Sequence, residues 1–161
     1  MICRLSSSNL ESILNVVNDA AQAYKSVIPE DRWKEPYMPT EELKKEVESG
    51  VEFYGLMEDN VLVGMMGIQL VNDVTLIRHA YVLTNHQRMG IGENLLDSLV
   101  RLARTCEVLV GTWEAAHWAI RFYQKHGFKL VSKEEKDRLL REYWNIPERQ
   151  IETSVVLKLE K

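Results

Sequence analysis

The chain has 161 residues, 45% hydrophobic and 27% charged, with 8 Gly and 4 Pro, a balance that excludes general disorder and suits one soluble domain, residues 1–161. Its formal charge of −4 excludes a general affinity for nucleic acid, which needs clustered cations against the phosphates. The longest mostly apolar run, residues 61–71, is shorter than the roughly 18 residues of a bilayer span, so no membrane partner is expected.

Residues 2–6 read as a short strand. The polar Ser6-Ser7-Ser8 follows without the apolar stretch and cleavage site of a signal peptide, so a cytoplasmic location is the expectation. Ser8 and Glu11 have the spacing of a capping box. They open a helix that places Leu10, Ile13, Leu14, Val17, Ala21 and Tyr24 on one side and ends before Pro29. Residues 28–39 are irregular, carrying Pro29, Pro36 and Pro39 together with Trp33, Tyr37 and Met38. Thr40 can cap a second helix over 41–49, closed by Gly50. Strands are expected over 51–57, 61–71 and 74–83. The polar turns between them make an antiparallel meander.

The hydrophobic period then changes. Ile91, Leu95, Leu99, Leu102 and Cys106 recur at helical spacing, predicting one amphipathic helix over 90–106 with Cys106 on its buried face. A short strand over 108–112 follows, and strand, helix and strand in series imply a right-handed parallel crossover. A helix over 117–126 ends at Gly127, with a strand over 128–132. The basic residues of 133–141 alternate with Glu134, Glu135 and Asp137, as on a solvated helix face. A β-branched strand over 153–160 closes the chain. The order is β-α-α-β-β-β-α-β-α-β-β, an α+β domain with a mixed sheet. Cys3 and Cys106 are too far apart for a metal pair, and no metal site is expected.

Gln87-Arg88-Met89-Gly90-Ile91-Gly92 lies between a strand and the long helix. Glycines there permit a tight turn that gathers backbone N–H groups, and the helix N-terminus adds partial positive charge, a combination suited to a pyrophosphate. The alternative is a plain tight turn. A P-loop is excluded because Glu93 and Asn94 follow Gly92 where Lys and Ser or Thr are needed. The dinucleotide fingerprint is excluded because Leu95 stands in place of its third small residue.

This loop, the strand His79-Ala80-Tyr81-Val82-Leu83 leading into it, and the downstream segment Ala119-Ile120-Arg121-Phe122-Tyr123-Gln124-Lys125-His126-Gly127-Phe128 together resemble the GNAT superfamily of acyl-CoA-dependent N-acetyltransferases. The resemblance implies the acyl-CoA N-acyltransferase fold, a mostly antiparallel twisted sheet flanked by helices, with the strands 74–83 and 108–112 splayed to admit the cofactor. It implies acetyl-CoA as co-substrate, with Gln87, Arg88, Met89, Gly90, Ile91, Gly92 and Glu93 cradling the pyrophosphate. Ala80, Tyr81 and Val82 would form the edge beside the pantetheine, and an N–H near Val82 would polarise the thioester carbonyl. Tyr123 matches the tyrosine that protonates the departing thiolate; its plainer role is a packed helix residue. The family's frequent Asn seven residues earlier is Ala116 here.

The resemblance makes the acceptor an amine of a small molecule or a peptide. An alkyl amine is only about one part in 2,500 neutral at pH 7, so a proton must be removed. Strand alternation puts Leu76, Arg78 and Ala80 on one face and His79 on the other. His79 can act as base only if a bulge changes that parity, and Glu114 is a second candidate. Arg78 either reads an acidic group on the acceptor or pairs internally, with Glu35 or Glu52. Trp33, Glu35, Tyr37 and Met38 either wall the acceptor site or pin the loop to the core. Trp113, Trp118, Tyr143 and Trp144 are candidates for cleft walls or for a homodimer interface. The rival to an enzyme is a non-catalytic acyl-CoA-binding sensor.

Overall fold

A computed structural model describes residues 1–161. The apolar runs of the first half fold as the expected meander, β2 (Glu52–Glu58), β3 (Val61–Val71) and β4 (Val74–Val82), with β1 (Ile2–Arg4) added antiparallel to β2. After α3 (Ile91–Leu102) the chain re-enters the sheet as β5 (Glu107–Trp113), parallel to β4. The strand β7 (Ser154–Glu160) pairs antiparallel with β5 and with the two-residue β6 (Lys129–Leu130), so the sheet order is β1-β2-β3-β4-β5-β7-β6.

Helical periodicity decides what each face buries. Ile13, Val16 and Val17 of α1 (Leu10–Ala20) and Leu43 of α2 (Thr40–Glu48) pack with Phe53, Leu62 and Met65. Leu95, Leu96 and Leu99 of α3 pack with Val63, Met66 and Ile77, joined by Tyr123 from α4 (His117–Lys125). Burial of each such leucine contributes about 1.5–3 kcal/mol. Leu139 and Leu140 of α5 (Lys133–Tyr143), with Ile151 of α6 (Glu148–Glu152), cover Val74, Leu76, Leu109 and Val156.

The feature that positions the site is where pairing stops. β4 and β5 pair only from Val74 with Glu107 to Ile77 with Val110. Beyond that point β4 continues on β3 and β5 on β7, which opens a wedge in mid-sheet. A bulge marks the divergence. The β3–β4 register slips by one residue between Met65 with Tyr81 and Gly67 with Arg78, and His79 takes a left-handed backbone with φ of 55°. Gly67 lies opposite the slip. A Cβ there would stand 2.9 Å from the Arg78 carbonyl oxygen, so the close approach admits only glycine.

Four local expectations are corrected. The N-terminal cap uses Asn9, whose Oδ1 accepts from the Ser6 amide at 2.9 Å, in place of Ser8 with Glu11. Thr40 is the first helical residue of α2, and Pro39 occupies the cap position. α3 ends at Leu102, because Ala103 turns extended and Lys161 Nζ takes up the carbonyls of Val100 and Ala103. Cys106 therefore lies outside the helix and is exposed. The segment 133–141 is a helix, capped by Ser132 Oγ accepting from the Glu135 amide, but Lys136 is buried with its Nζ donating to the Ile151 carbonyl at 2.7 Å. No helix is long and apolar enough to cross a membrane, and no cluster of three or more His, Cys, Asp or Glu is placed to hold a metal ion.

Candidate active site

The loop entering α3 is built by two left-handed residues, Arg88 with φ of 64° and Gly90 with φ of 78°. Gly90 is the N-cap, and a side chain there would be strained by the backbone although nothing stands within 4 Å of its Cβ position. The amides of Ile91, Gly92 and Glu93 open the helix and so have no partner within it. These residues line a cavity of about 740 Å³, with Gln87, Arg88 and Gly90 beside them and Trp118, Phe122, Tyr123 and Lys125 of α4 and the following His126 on the other side. Met89 is exposed and does not line it.

The edge of β4 runs down this cavity through Ala80, Tyr81 and Val82. The Leu83 amide donates to the Val63 carbonyl at 2.9 Å, toward β3. Alternation then turns the Val82 backbone groups to the open edge, and Gln87 Nε2 donates to the Val82 carbonyl there at 3.3 Å. An N–H and a carbonyl are thus presented to the cleft.

A second, smaller cavity of about 140 Å³ lies in the wedge itself and shares Tyr24, Ala80, Tyr81, Ala119 and Tyr123 with the first. Four tyrosines meet around this junction, Tyr24, Tyr37, Tyr81 and Tyr123. Tyr24 stands edge-on to Tyr81 with ring centres 6.4 Å apart and lies 5.1 Å from Trp118. Burial raises all four phenols above the ordinary range. Tyr24 is pushed up to about 12 by burial and by Tyr37 nearby. Tyr123 is raised further by burial and by Tyr24, and no hydrogen bond offsets the shift. These groups stay protonated at neutral pH and can donate.

The bulge gives Arg78 and His79 a common partner. Arg78 Nη1 lies 3.0 Å from Glu46 Oε2 of α2 and donates to Gln69 Oε1 at 3.1 Å. His79 Nε2 lies 3.3 Å from the same Glu46 oxygen, off the hydrogen-bond direction, with its ring against Phe53. Burial raises the Glu46 carboxyl, but the contact with His79 and the charges of His79 and Arg78 outweigh it and leave the group below its ordinary value. The partner of Arg78 is therefore Glu46, and neither Glu35 nor Glu52. Those two pair instead with Lys25 at 3.2 Å and Arg4 at 3.4 Å.

Of the residues proposed for the acceptor side, Tyr37, Arg78 and Trp113 line the smaller cavity, and so does His79, at the bulge on which its candidacy as base depended. Trp33 lines neither; it stacks on Tyr37 at 5.7 Å and its indole donates to Glu35. Glu114 is exposed and lines neither cavity. Sequence reasoning gave Tyr24 only a core-facing role and left Ile146 and Gln150 unmentioned, yet all three line the wedge. Tyr24 is carried there by a tight helical turn over Ala21–Tyr24 at the end of α1. The segment between α5 and α6 has no periodicity from which Ile146 could have been placed.

A mixed sheet split by a wedge, with an amide cradle at its mouth, defines the acyl-CoA N-acyltransferase fold. The chain belongs to the GNAT acetyltransferase family: the family model described as "Acetyltransferase (GNAT) domain" matches residues 14–141. Among solved structures it resembles the PaiA N-acetyltransferase of Thermoplasma acidophilum in complex with coenzyme A, with TM-score 0.76 and 17% identity over 100% of this chain and 98% of that one. It also resembles a GNAT-family acetyltransferase of Staphylococcus aureus Mu50, with TM-score 0.74 and 17% identity over 99% and 98% of the two chains. The ribosomal-protein-S18-alanine N-acetyltransferase of Escherichia coli aligns with TM-score 0.71 and 15% identity over 99% and 92%. Among curated proteins, none matches the sequence.

Proposed function

We propose that the chain, acting as one domain, transfers an acetyl group from acetyl-CoA to the primary amine of a small molecule or peptide, by direct attack with both substrates bound. The observation that carries this is the meeting of the two cavities at Tyr123. One is long and amide-lined and the other small and aromatic, with Tyr24, Ala80, Tyr81, Ala119 and Tyr123 common to both. A cofactor in the larger cavity would set its pyrophosphate on the amides of residues 91–93 and its arm along the free edge of Ala80–Val82. Its thioester would then lie at the junction. There the Val82 N–H is positioned to stabilise charge on the carbonyl oxygen, and the Tyr123 hydroxyl to donate to the sulfur as the C–S bond breaks.

The test is thiol release from acetyl-CoA over a panel of primary amines, with coenzyme A affinity measured in parallel. Amine-dependent release supports the enzyme. The second reading, an acyl-CoA-binding sensor, has one observation in its favour: no carboxylate lines the smaller cavity, and the one imidazole there, His79, faces Glu46. Tight binding of acetyl-CoA without release to any amine would establish that reading instead.

A further inference from the structure

His79 lines the 140 Å³ cavity, and the bulge decides how its ring sits there. In a regular strand neighbouring side chains leave on opposite faces. The left-handed backbone at His79, with φ of 55°, brings its ring to the same carboxylate as Arg78. That carboxylate, Glu46, is held from behind. Arg78 Nη1 lies 3.0 Å from Oε2, and Nη2 donates to Oε1 at 3.5 Å. Arg78 also donates to Gln69 Oε1 at 3.1 Å, and Gln69 Nε2 donates to the Ser49 carbonyl at 3.0 Å. Glu46 is ionised at neutral pH and cannot turn away without breaking this chain.

The two nitrogens of His79 then differ. Nε2 is enclosed and lies 3.3 Å from Glu46 Oε2, which is enclosed too. A lone pair on Nε2 would face those of the carboxylate, so the proton of the neutral ring belongs on Nε2. The contact is off the hydrogen-bond direction, as such contacts often are before substrate binds. Nδ1 is neither enclosed nor bonded to a protein group, and the side chain keeps 16% of its exposure. Nδ1 thus carries the free lone pair of a residue that lines the acceptor cavity. Of the other titratable groups in that lining, Arg78 is a cation and the four phenols hold their protons. From the far side the cavity receives only Leu140, Trp144, Ile146, Gln150 and Ser154, and from β2 the ring meets Phe53.

We infer that His79 Nδ1 is the base that takes the proton of the acceptor ammonium, and that Glu46 of α2 is the positioning residue that fixes its tautomer and its ring. The inference rests on the acetyltransferase reading and deepens it. The ammonium gives one proton to Nδ1, and the imidazolium so formed lies against the Glu46 carboxylate. The neutral amine then attacks the thioester. An N–C bond forms and the C–S bond breaks, with its electron pair leaving on sulfur. Tyr123 passes a proton to the sulfur, and the second proton shed by nitrogen restores the phenol. The imidazolium releases its proton to solvent, and the sum closes.

Benzylamine, a linear alkyl diamine, an alanyl peptide and glutamate are tested with acetyl-CoA, and kcat for the best acceptor is followed against pH. His79→Asn suits the test, because asparagine tolerates a left-handed backbone. It is expected to lower kcat at pH 7 by at least about 100-fold and to abolish the acid limb of the profile, with coenzyme A affinity changed by less than about threefold. Glu46→Gln should lower kcat by about tenfold and move the acid limb to lower pH, since an imidazolium without its carboxylate is disfavoured. A merely structural carboxylate would lower the melting temperature and leave the limb in place. His79→Gly, also at ease with this backbone, should regain about tenfold of its lost rate with added imidazole. Nitrogen NMR of the wild type needs no variant. The neutral ring of His79, told from the other histidines by its contact with Phe53, is expected as the Nε2–H tautomer. The inference is overturned if that ring is Nδ1–H, if folded His79→Asn keeps the wild-type kcat, if imidazole restores nothing to folded His79→Gly, or if Glu46→Gln leaves the acid limb where it was. If the wild type releases no thiol with any amine while acetyl-CoA binds, the acetyltransferase reading fails and the base falls with it. That result stands apart from the others, because the wild type itself is then inactive.

Discussion

Tyr123, the proton donor of the proposed reaction, is a buried phenol at the junction of the two cavities. Its phenol is raised by burial and by Tyr24, so it keeps its proton at neutral pH. In the proposed reaction it would hydrogen-bond to the sulfur as negative charge develops there, and positioned proton donation of this kind contributes about 10²–10⁴-fold. Tyr123→Phe is therefore expected to lower kcat by at least about 100-fold while coenzyme A affinity changes less than threefold. Equal loss in both would make the residue a packing element only. The Ala119–Phe128 segment placed this tyrosine, the strand into the loop placed Tyr81 and the irregular 28–39 stretch offered Tyr37, whereas Tyr24 was read only as core-facing. At Gly90 the proposed cradle depends on the backbone itself. Its φ of 78° costs a side-chain-bearing residue about 1–2 kcal/mol. Gly90→Val should weaken coenzyme A binding, read by titration calorimetry, by more than it lowers the melting temperature of the free protein. A wild-type affinity would exclude the loop from binding.

At the scale of elements, β4 and α2 are tied by one carboxylate. The bulge at His79 holds a non-glycine residue left-handed, a conformation that persists only where the surroundings over-determine it. Glu46, facing both Arg78 and His79, is that constraint. Glu46→Gln keeps the shape and removes the charge, leaving the Arg78 guanidinium without a counterion. The expected loss is about 1–3 kcal/mol, moderated because the site is partly solvated, and it is read as a lower denaturant midpoint at pH 7. The carboxyl lies below its ordinary value of 4.5 when folded. Its contribution is then present above that value and disappears as the pH falls through the folded one. The stability difference between wild type and Glu46→Gln should thus shrink as the pH is taken below 4.5, and a difference that does not shrink through acid pH would remove Glu46 from the account. Element order was legible because periodicity changes sharply between β4 and α3. The bulge was not. Alternation is a rule of regular strands, and nothing in Ile77-Arg78-His79-Ala80 marks where the register slips. The end of α3 was equally hidden: Cys106 continues the apolar spacing, but the backbone turns extended at Ala103, where Lys161 from the far end of the sequence binds the carbonyls of Val100 and Ala103.

At the scale of the whole molecule, the wedge is a place where the sheet forgoes its own hydrogen bonds. β4 and β5 satisfy each other only up to Ile77 and Val110, and the freed edge of β4 is left for another backbone-like partner. An extended arm carrying amides meets that need, and the amides at the start of α3 meet the need of an anion. Binding should therefore stitch the two halves of the sheet together and raise global stability. For a ligand at 100 times its dissociation constant the gain is about 2.7 kcal/mol, which in a domain of this size corresponds to roughly 5–10 °C in melting temperature. Acetyl-CoA is expected to give a shift of that order, and coenzyme A a comparable one. ATP, which shares the nucleotide but has no pantetheine arm to lie along Ala80–Val82, should give little. An equal shift with ATP would mean that the loop alone binds and the wedge is idle. No shift with acetyl-CoA would mean that the cleft does not hold the cofactor.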